Sequence, residues 1–336
     1  MTEKISHLYN RYRTAVWIAC LAVMLALPLF VKTGNMRIVC RIMLYIILAG
    51  GLNIINGYCG QLCFGIAGFY CVGAYVQAIL MKTFGVSFWA ALLPAGIMAA
   101  LIGAVVALPA LRMKGIFLAM ITIGFSELMR LIALNWTPVT GGAMGFKGIM
   151  APRFLGIKMG GASKYYYIFL AAVLLYMFCT SRVIKSRVGR AWMSIREDEL
   201  AARSLGVDAR RYKVLNFMYG AFWAGIGGAV YSAYASYVDS TYFTLDEGFN
   251  ILAMLIIGGQ GTLAGPVVGS VVAQGLTEAL RGIEEWRYVV YASLIILMMW
   301  VRPQGLAGAS GSMLAGTRTK KKKHTQHAAV KIPKEA

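Results

Sequence analysis

The sequence predicts an all-α, polytopic membrane protein of about ten transmembrane segments, some of them broken or re-entrant. Three observations lead there. The 336 residues are 59% hydrophobic and only 14% charged, whereas soluble domains carry roughly 25% charged residues. Mean hydropathy is +0.66, so there are too few charges to cover a soluble globule. The apolar residues also come in runs of bilayer length rather than in short periodic patches, and about 20 such residues suit a spanning helix. Finally, one polar island, residues 182–213, interrupts this pattern between long apolar runs.

In chain order the runs are 15–31, 38–55, 62–81, 88–111, 116–134, 165–180, 214–238, 249–259, 263–280 and 288–301. The first has a basic flank like a signal peptide but no clear small-x-small cleavage site, so it is read as a retained span. Lys4, Arg11 and Arg13 place the N-terminus, residues 1–14, on the cytoplasmic side. Arg112 and Lys114, the island and the basic tail 303–336 then also fall inside, while the acidic stretch 239–248 falls outside. The loop 135–164 falls outside despite Lys147, Arg153, Lys158 and Lys164, and it fits least well.

Parity depends on 249–280. This stretch is long for one span and is interrupted by Gly258, Gly259, Gln260, Gly261, Thr262, Gly265 and Pro266. Two crossings, or a re-entrant hairpin, keep the tail inside. Such a broken element is tolerated only where protein or a water-filled cavity satisfies the freed backbone groups. A faint internal symmetry accompanies it. Gly60-Gln61-Leu62, preceded by Asn53 and Asn56, opens an apolar segment in the first half, and Gly259-Gln260-Gly261-Thr262-Leu263 opens one in the second. Transporters built from repeats show this pairing near their substrate route, although close helix packing through glycine gives the same pattern.

The formal charge of +20 does not point to nucleic acid, because Lys and Arg lie at the ends of apolar runs and in loops. The tail's RTKKKK at 318–323 reads as a topology anchor or a contact with anionic membrane lipid. Cys20, Cys40, Cys59, Cys63, Cys71 and Cys179 lie in or beside apolar runs with neither a disulfide framework nor zinc spacing. His7, His324 and His327 are terminal, so no histidine metal site is expected.

Within the island, Ser194-Ile195-Arg196-Glu197 fits a capping box. It predicts one short helix over 195–205, with Glu197, Asp198 and Glu199 in the first turn, where the dipole favours acids. Arg203 then lies near the other end, with Gly206 as the C′ residue. Leu200 and Ser204, or Ala201 and Leu205, share a face of it. Such a knob is either a surface for another protein to grip or a solvated loop helix.

Three stretches carry a family resemblance. They are residues 57–75 (GYCGQLCFGIAGFYCVGAY), 111–146, and 189–270, which begins GRAWMSIREDELAARSLG and contains IIGGQGTLAGP. The chain resembles the membrane subunits of branched-chain amino acid ABC importers from about residue 40 to Gly305. The resemblance implies a permease domain, 15–302, working with a second homologous permease, two ATPase subunits and an external solute-binding protein in the bacterial inner membrane. It also implies that 190–206, with Arg190, Ser194, Arg196, Glu197, Asp198, Glu199, Leu200, Arg203, Leu205 and Gly206, is the ATPase-coupling element, and that 258–266 is the family's glycine-rich motif. No Gly-Lys dipeptide occurs. A Walker A loop is therefore absent, and ATP and Mg belong to partner chains. The chain departs from relatives in having Cys63 and Ile66 where many have Ser and His, leaving Gln61 as the polar group of that run. Permeases of urea and short-amide importers look similar, so the solute stays open.

Glu127 and Arg130 stand at i, i+3 on one helix face, either beside the translocation path or as a structural pair. Asn53, Asn56 and Gln61 either line the path or bond across helices. Asp239, Asp246 and Glu247 form an acidic outer stretch, and Tyr165, Tyr166, Tyr167 and Trp286 fit an interfacial belt. A secondary transporter or channel working alone would need more protonatable groups in the membrane than Glu127, and no catalytic constellation argues for an enzyme.

Overall fold

The computed structural model describes residues 33–113, 115–154, 157–158 and 160–280, together with 28, 292, 293, 296, 300 and 305–308. Apart from those isolated positions, the expected segments 15–31 and 288–301 lie outside the described residues, as do Trp286 and nearly all of the tail. Helix α1 (Thr33–Leu52) runs on into a π-helical turn, Asn53–Tyr58. There follow α2 (Ile66–Lys82), α3 (Phe88–Ala110), α4 (Ile116–Asn135) and α5 (Ala162–Lys185). The island forms α6 (Arg187–Glu197) and α7 (Glu199–Ser204), and α8 (Ala209–Ala235), α9 (Leu245–Gly258) and α10 (Ala264–Ala279) complete the bundle.

Each of the eight expected spans that fall on described residues corresponds to a helix. Four helical stretches, Gly34–Tyr58, Phe88–Ala110, Ile116–Asn135 and Ala162–Lys185, are long and apolar enough to cross a membrane. The α9 and α10 helices have 14 and 16 residues. At ~1.5 Å per residue they reach about 21 and 24 Å, short of the roughly 30 Å hydrocarbon core.

Small residues let the helices approach. The long α8 packs against α1, α2 and α3, and a Cβ on Gly103 would lie 2.7 Å from the Ala221 Cβ. One on Gly225 would lie 2.5 Å from the Ala99 Cβ. Close backbone contact of this kind is how helices associate when lipid competes equally for their apolar side chains. The α9–α10 hairpin is tighter still: a Cβ on Gly258 would sit 2.7 Å from the Gly265 carbonyl carbon and 2.8 Å from the Gly269 nitrogen.

At the end of the bundle away from the island, Phe146–Lys147 pairs antiparallel with Tyr237–Val238, and Arg153–Phe154 pairs with Ile157–Lys158. Lys147 stands over the Tyr237 ring and Lys82 over that of Phe146, so one cation of the poorly fitting loop is held by an aromatic face. Tyr165 and Tyr166 do not form an exposed belt. Both are buried, with the Tyr165 hydroxyl donating to the Ala233 carbonyl of α8 at 2.6 Å. Tyr167 alone of the three is exposed.

Candidate functional site: a joint between the island and the glycine loop

The island does not fold as one helix, and the predicted capping box does not form. Ser186 caps α6, its hydroxyl accepting from the Val188 amide at 3.2 Å. The hydroxyl of Ser194 instead donates to the Ala191 carbonyl inside that helix, and Glu197 is the last residue of α6 rather than part of a first turn. The reason is periodicity: Val188, Ala191, Trp192 and Ile195 make an apolar face at helical spacing, and burying it carries α6 through the expected start. The chain breaks at Asp198, whose carboxylate accepts from the amides of Leu200 (2.8 Å) and Ala201 (3.1 Å) to cap α7. The C′ expectation holds. Gly206 has φ +83°, its amide donates to Arg203, and the Val207 amide donates to Ala202, the two bonds of a Schellman turn.

The two short helices are held differently. In α6, Trp192 is buried and its indole N–H donates to the Tyr212 carbonyl at 2.8 Å. In α7 only Ala202 is buried, and Leu200 and Leu205 are 70% and 83% exposed. Glu199 ties the start of α7 to α8 through Lys213 at 2.8 Å and also pairs with Arg203 at 2.5 Å.

From α6, Arg196 reaches into the bundle and donates through Nη1 to the Gly57 carbonyl of the π-helical turn at 2.5 Å. A π turn displaces carbonyls from the regular ladder, and here three find partners from separate elements. Asn216 Nδ2 donates to the Ile54 carbonyl at 2.8 Å, the Gln61 amide to Ile55 at 3.2 Å, and Arg196 to Gly57. Asn53 opens the turn and faces the glycine loop between α9 and α10. Its Oδ1 accepts from the Gly261 amide and its Nδ2 donates to the Thr262 carbonyl, both at 2.8 Å. The loop thus has its exposed backbone groups paired inside the protein, as a chain break within a membrane requires.

The fit leaves no spare volume. A Cβ at Gly57 would strike Asn53 Oδ1 and come within 2.5 Å of the Gly261 nitrogen, and one at Gly261, already at φ +78°, would come within 2.5 Å of Arg196 Nη1. The two Gly-Gln segments that suggested an internal repeat therefore meet here, with Arg196 against both Gly60 and Gly261. Thr262 Oγ1 caps the start of α10 at the Gly265 amide (3.0 Å), with Pro266 in the first turn, while Gln260 is exposed. Residues 306 and 307 return to this end, their amides donating to the carbonyls of Ile257 and Gly258 at 2.9 and 2.8 Å.

Asn53, Asn56 and Gln61 are all buried and bond across the chain. Asn56 grips both backbone groups of Cys63 at 3.1 Å, and Gln61 Nε2 donates to Asn216 Oδ1 at 3.1 Å. The sequence reading missed Asn216, although an amide inside the apolar run 214–238 is itself a signal. It also missed Thr122, whose hydroxyl accepts from the Phe64 amide at 3.0 Å. Glu127 and Arg130 lie elsewhere, on α4, and pair with each other, Arg130 Nε donating to both carboxylate oxygens at 3.0 Å. At the opposite end Asp239 caps the turn 240–242 through the Thr241 amide and hydroxyl. Cys40, Cys59, Cys63, Cys71 and Cys179 are free thiols.

Apolar helices of spanning length, with a broken glycine hairpin and a polar island joined to it, define an integral membrane protein. The family described as branched-chain amino acid transport system / permease component matches residues 34–299, and the chain belongs to it. It is 35% identical to the high-affinity branched-chain amino acid transport system permease protein LivM of Escherichia coli K12, over 86% of this chain and 73% of that one. It is 24% identical to a probable LivM of Methanocaldococcus jannaschii, over 78% of this chain and 90% of that one. With the LivH permease protein of Salmonella typhimurium it shares 25% identity, over 79% and 91%. No solved structure matches.

Proposed function

We propose that this chain is one of two homologous permease subunits of an ABC importer for branched-chain amino acids in the bacterial inner membrane. Family membership carries the reading. Similarity to proteins named both LivM and LivH supports pairing with a second, related permease. Two ATPase subunits, which use ATP and Mg, dock at α7 on the cytoplasmic face, and an external solute-binding protein delivers solute at the end where Asp239, Asp246 and Glu247 lie. The chain itself performs no chemistry. Its residues carry motion, from α7 through α6 and Arg196 to the π turn and the glycine loop, so that α9 and α10 shift with the motor. Arg190, Ser194, Glu197 and Arg203 shape and solvate the coupling element.

The return of residues 305–308 to the island's end supports ten segments, with residues 1–14 and 303–336 both cytoplasmic. In this reading α9 arrives at the island's end and α10 leaves it, and the expected segment 288–301 is the tenth. The test is uptake of labelled leucine against labelled urea in vesicles holding the assembled complex. ATP-dependent accumulation of leucine, competed by isoleucine and valine, is expected. Accumulation of urea instead, or uptake without the ATPase subunits, would overturn the assignment.

A further inference from the structure

A cavity of about 720 Å³ lies where α3 ends and α8 begins, lined by Leu108, Pro109, Leu111, Arg112, Met113 and Arg210. Two arginines line it, and among the described residues no acidic one does. The nearest acid in sequence, Asp208, turns its carboxylate to the Arg211 amide at 3.2 Å. Arg210 lies in the first turn of α8, just past the island's short helices, so the cavity lies at the island's end of the bundle. On α3, Leu93, Ile97, Leu101, Val105 and Leu108 are all exposed. Their spacing of four, four, four and three places them in one stripe along the helix. The stripe runs for about 22 Å at ~1.5 Å per residue and ends on the cavity wall at Leu108. Across the connection, Ile116, Phe117 and Met120 of α4 are exposed as well.

We infer that this cavity seats the phosphate headgroup of an anionic phospholipid of the adjoining leaflet, with an acyl chain laid along the α3 stripe. Two arginines at the mouth of an apolar track match the amphipathic geometry of a phospholipid. Guanidinium pairs bind phosphate oxygens in forked geometry, and basic pockets at helix ends on the cytoplasmic side suit lipid headgroups. A soluble subunit placed here would meet the arginines but leave the stripe uncovered. The site is separate from the joint at Gly57 and does not depend on which solute is carried.

The test uses the full chain in detergent with Lys320, Lys321, Lys322 and Lys323 changed to Gln, so that the tail's own attraction for anions is removed. Native mass spectrometry compares retention of dioleoyl phosphatidylglycerol and dioleoyl phosphatidylcholine. A preference for phosphatidylglycerol is expected, falling roughly fivefold for each of Arg112→Gln and Arg210→Gln, with the Arg112→Lys, Arg210→Lys double variant keeping most of it. A photoreactive benzophenone residue in place of Leu108 should capture lipid in membranes. Equal retention of the two lipids, an undiminished preference in both single Gln variants, or capture of another subunit at position 108 would each overturn the inference. Should the Gln variants not fold, the lipid preference and the capture at 108 decide alone. None of these readouts involves transport, so they stand or fall independently of the importer assignment.

Discussion

The two helices of the island are neighbours in sequence and opposites in attachment. The α6 helix buries Ala191, Trp192 and Ile195 and sends Arg196 to the Gly57 carbonyl. The α7 helix has six residues, buries Ala202 alone, and leaves Leu200 and the following Leu205 exposed. One is anchored in the bundle and the other stands exposed on its surface. The break at Asp198 separates the two tasks. Anything that grips α7 pulls on a helix already wired to the π turn and, through Asn53, to the glycine loop.

The contrast can be broken from either side. The largest effect is expected at the anchor. Trp192→Ala should cost about 3–5 kcal/mol as a fully buried aromatic, seen as a lowered unfolding temperature and a loss of assembled complex. Next is Asn53→Ala, which leaves the Gly261 amide and the Thr262 carbonyl unpaired at about 1–3 kcal/mol each. Transport should fall more than the yield of folded protein, and Asn53→Asp, which still accepts from Gly261, should lie between. A smaller effect is expected at the break. Asp198→Ala removes the α7 cap at about 1 kcal/mol, and amide hydrogen exchange should rise across 199–204 while α6 stays protected. The least effect on stability belongs to the Leu200→Ala, Leu205→Ala double variant. As exposed substitutions these should stay within roughly 0.5 kcal/mol, and the loss should appear in coupling and in retention of the ATPase subunits. If that variant unfolds as Trp192→Ala does, the division between anchor and knob is wrong.

Much of this arrangement was legible in the sequence, and the physics explains which parts. Run lengths located a helix at each of the eight expected segments that fall on described residues, because burial in lipid demands apolar residues along a whole helix. The Gly258–Pro266 interruption was legible because glycine and proline mark where a helix stops. Charge located the island but not its edges, since α5 runs on through Lys185 and α8 already begins at Ala209. The capping box misled because a local signal competed with a longer one, and the apolar face of 188–195 outweighed a single Ser-x-x-Glu. The joint itself was hidden. Arg196 and Gly57 are 139 residues apart in the chain, and nothing in the composition of 53–58 announces a π turn. Asn53 was noticed as a polar residue in a span, yet only the fold brings Gly261 and Thr262 to it.

The central claim is that motion at α7 reaches the membrane through Arg196. It is tested most directly by measuring solute transported per ATP hydrolysed for Arg196→Ala in the reconstituted complex. The account predicts normal insertion and assembly, continued ATP hydrolysis and a markedly lower transport yield. Transport per ATP unchanged from the parent protein would contradict it.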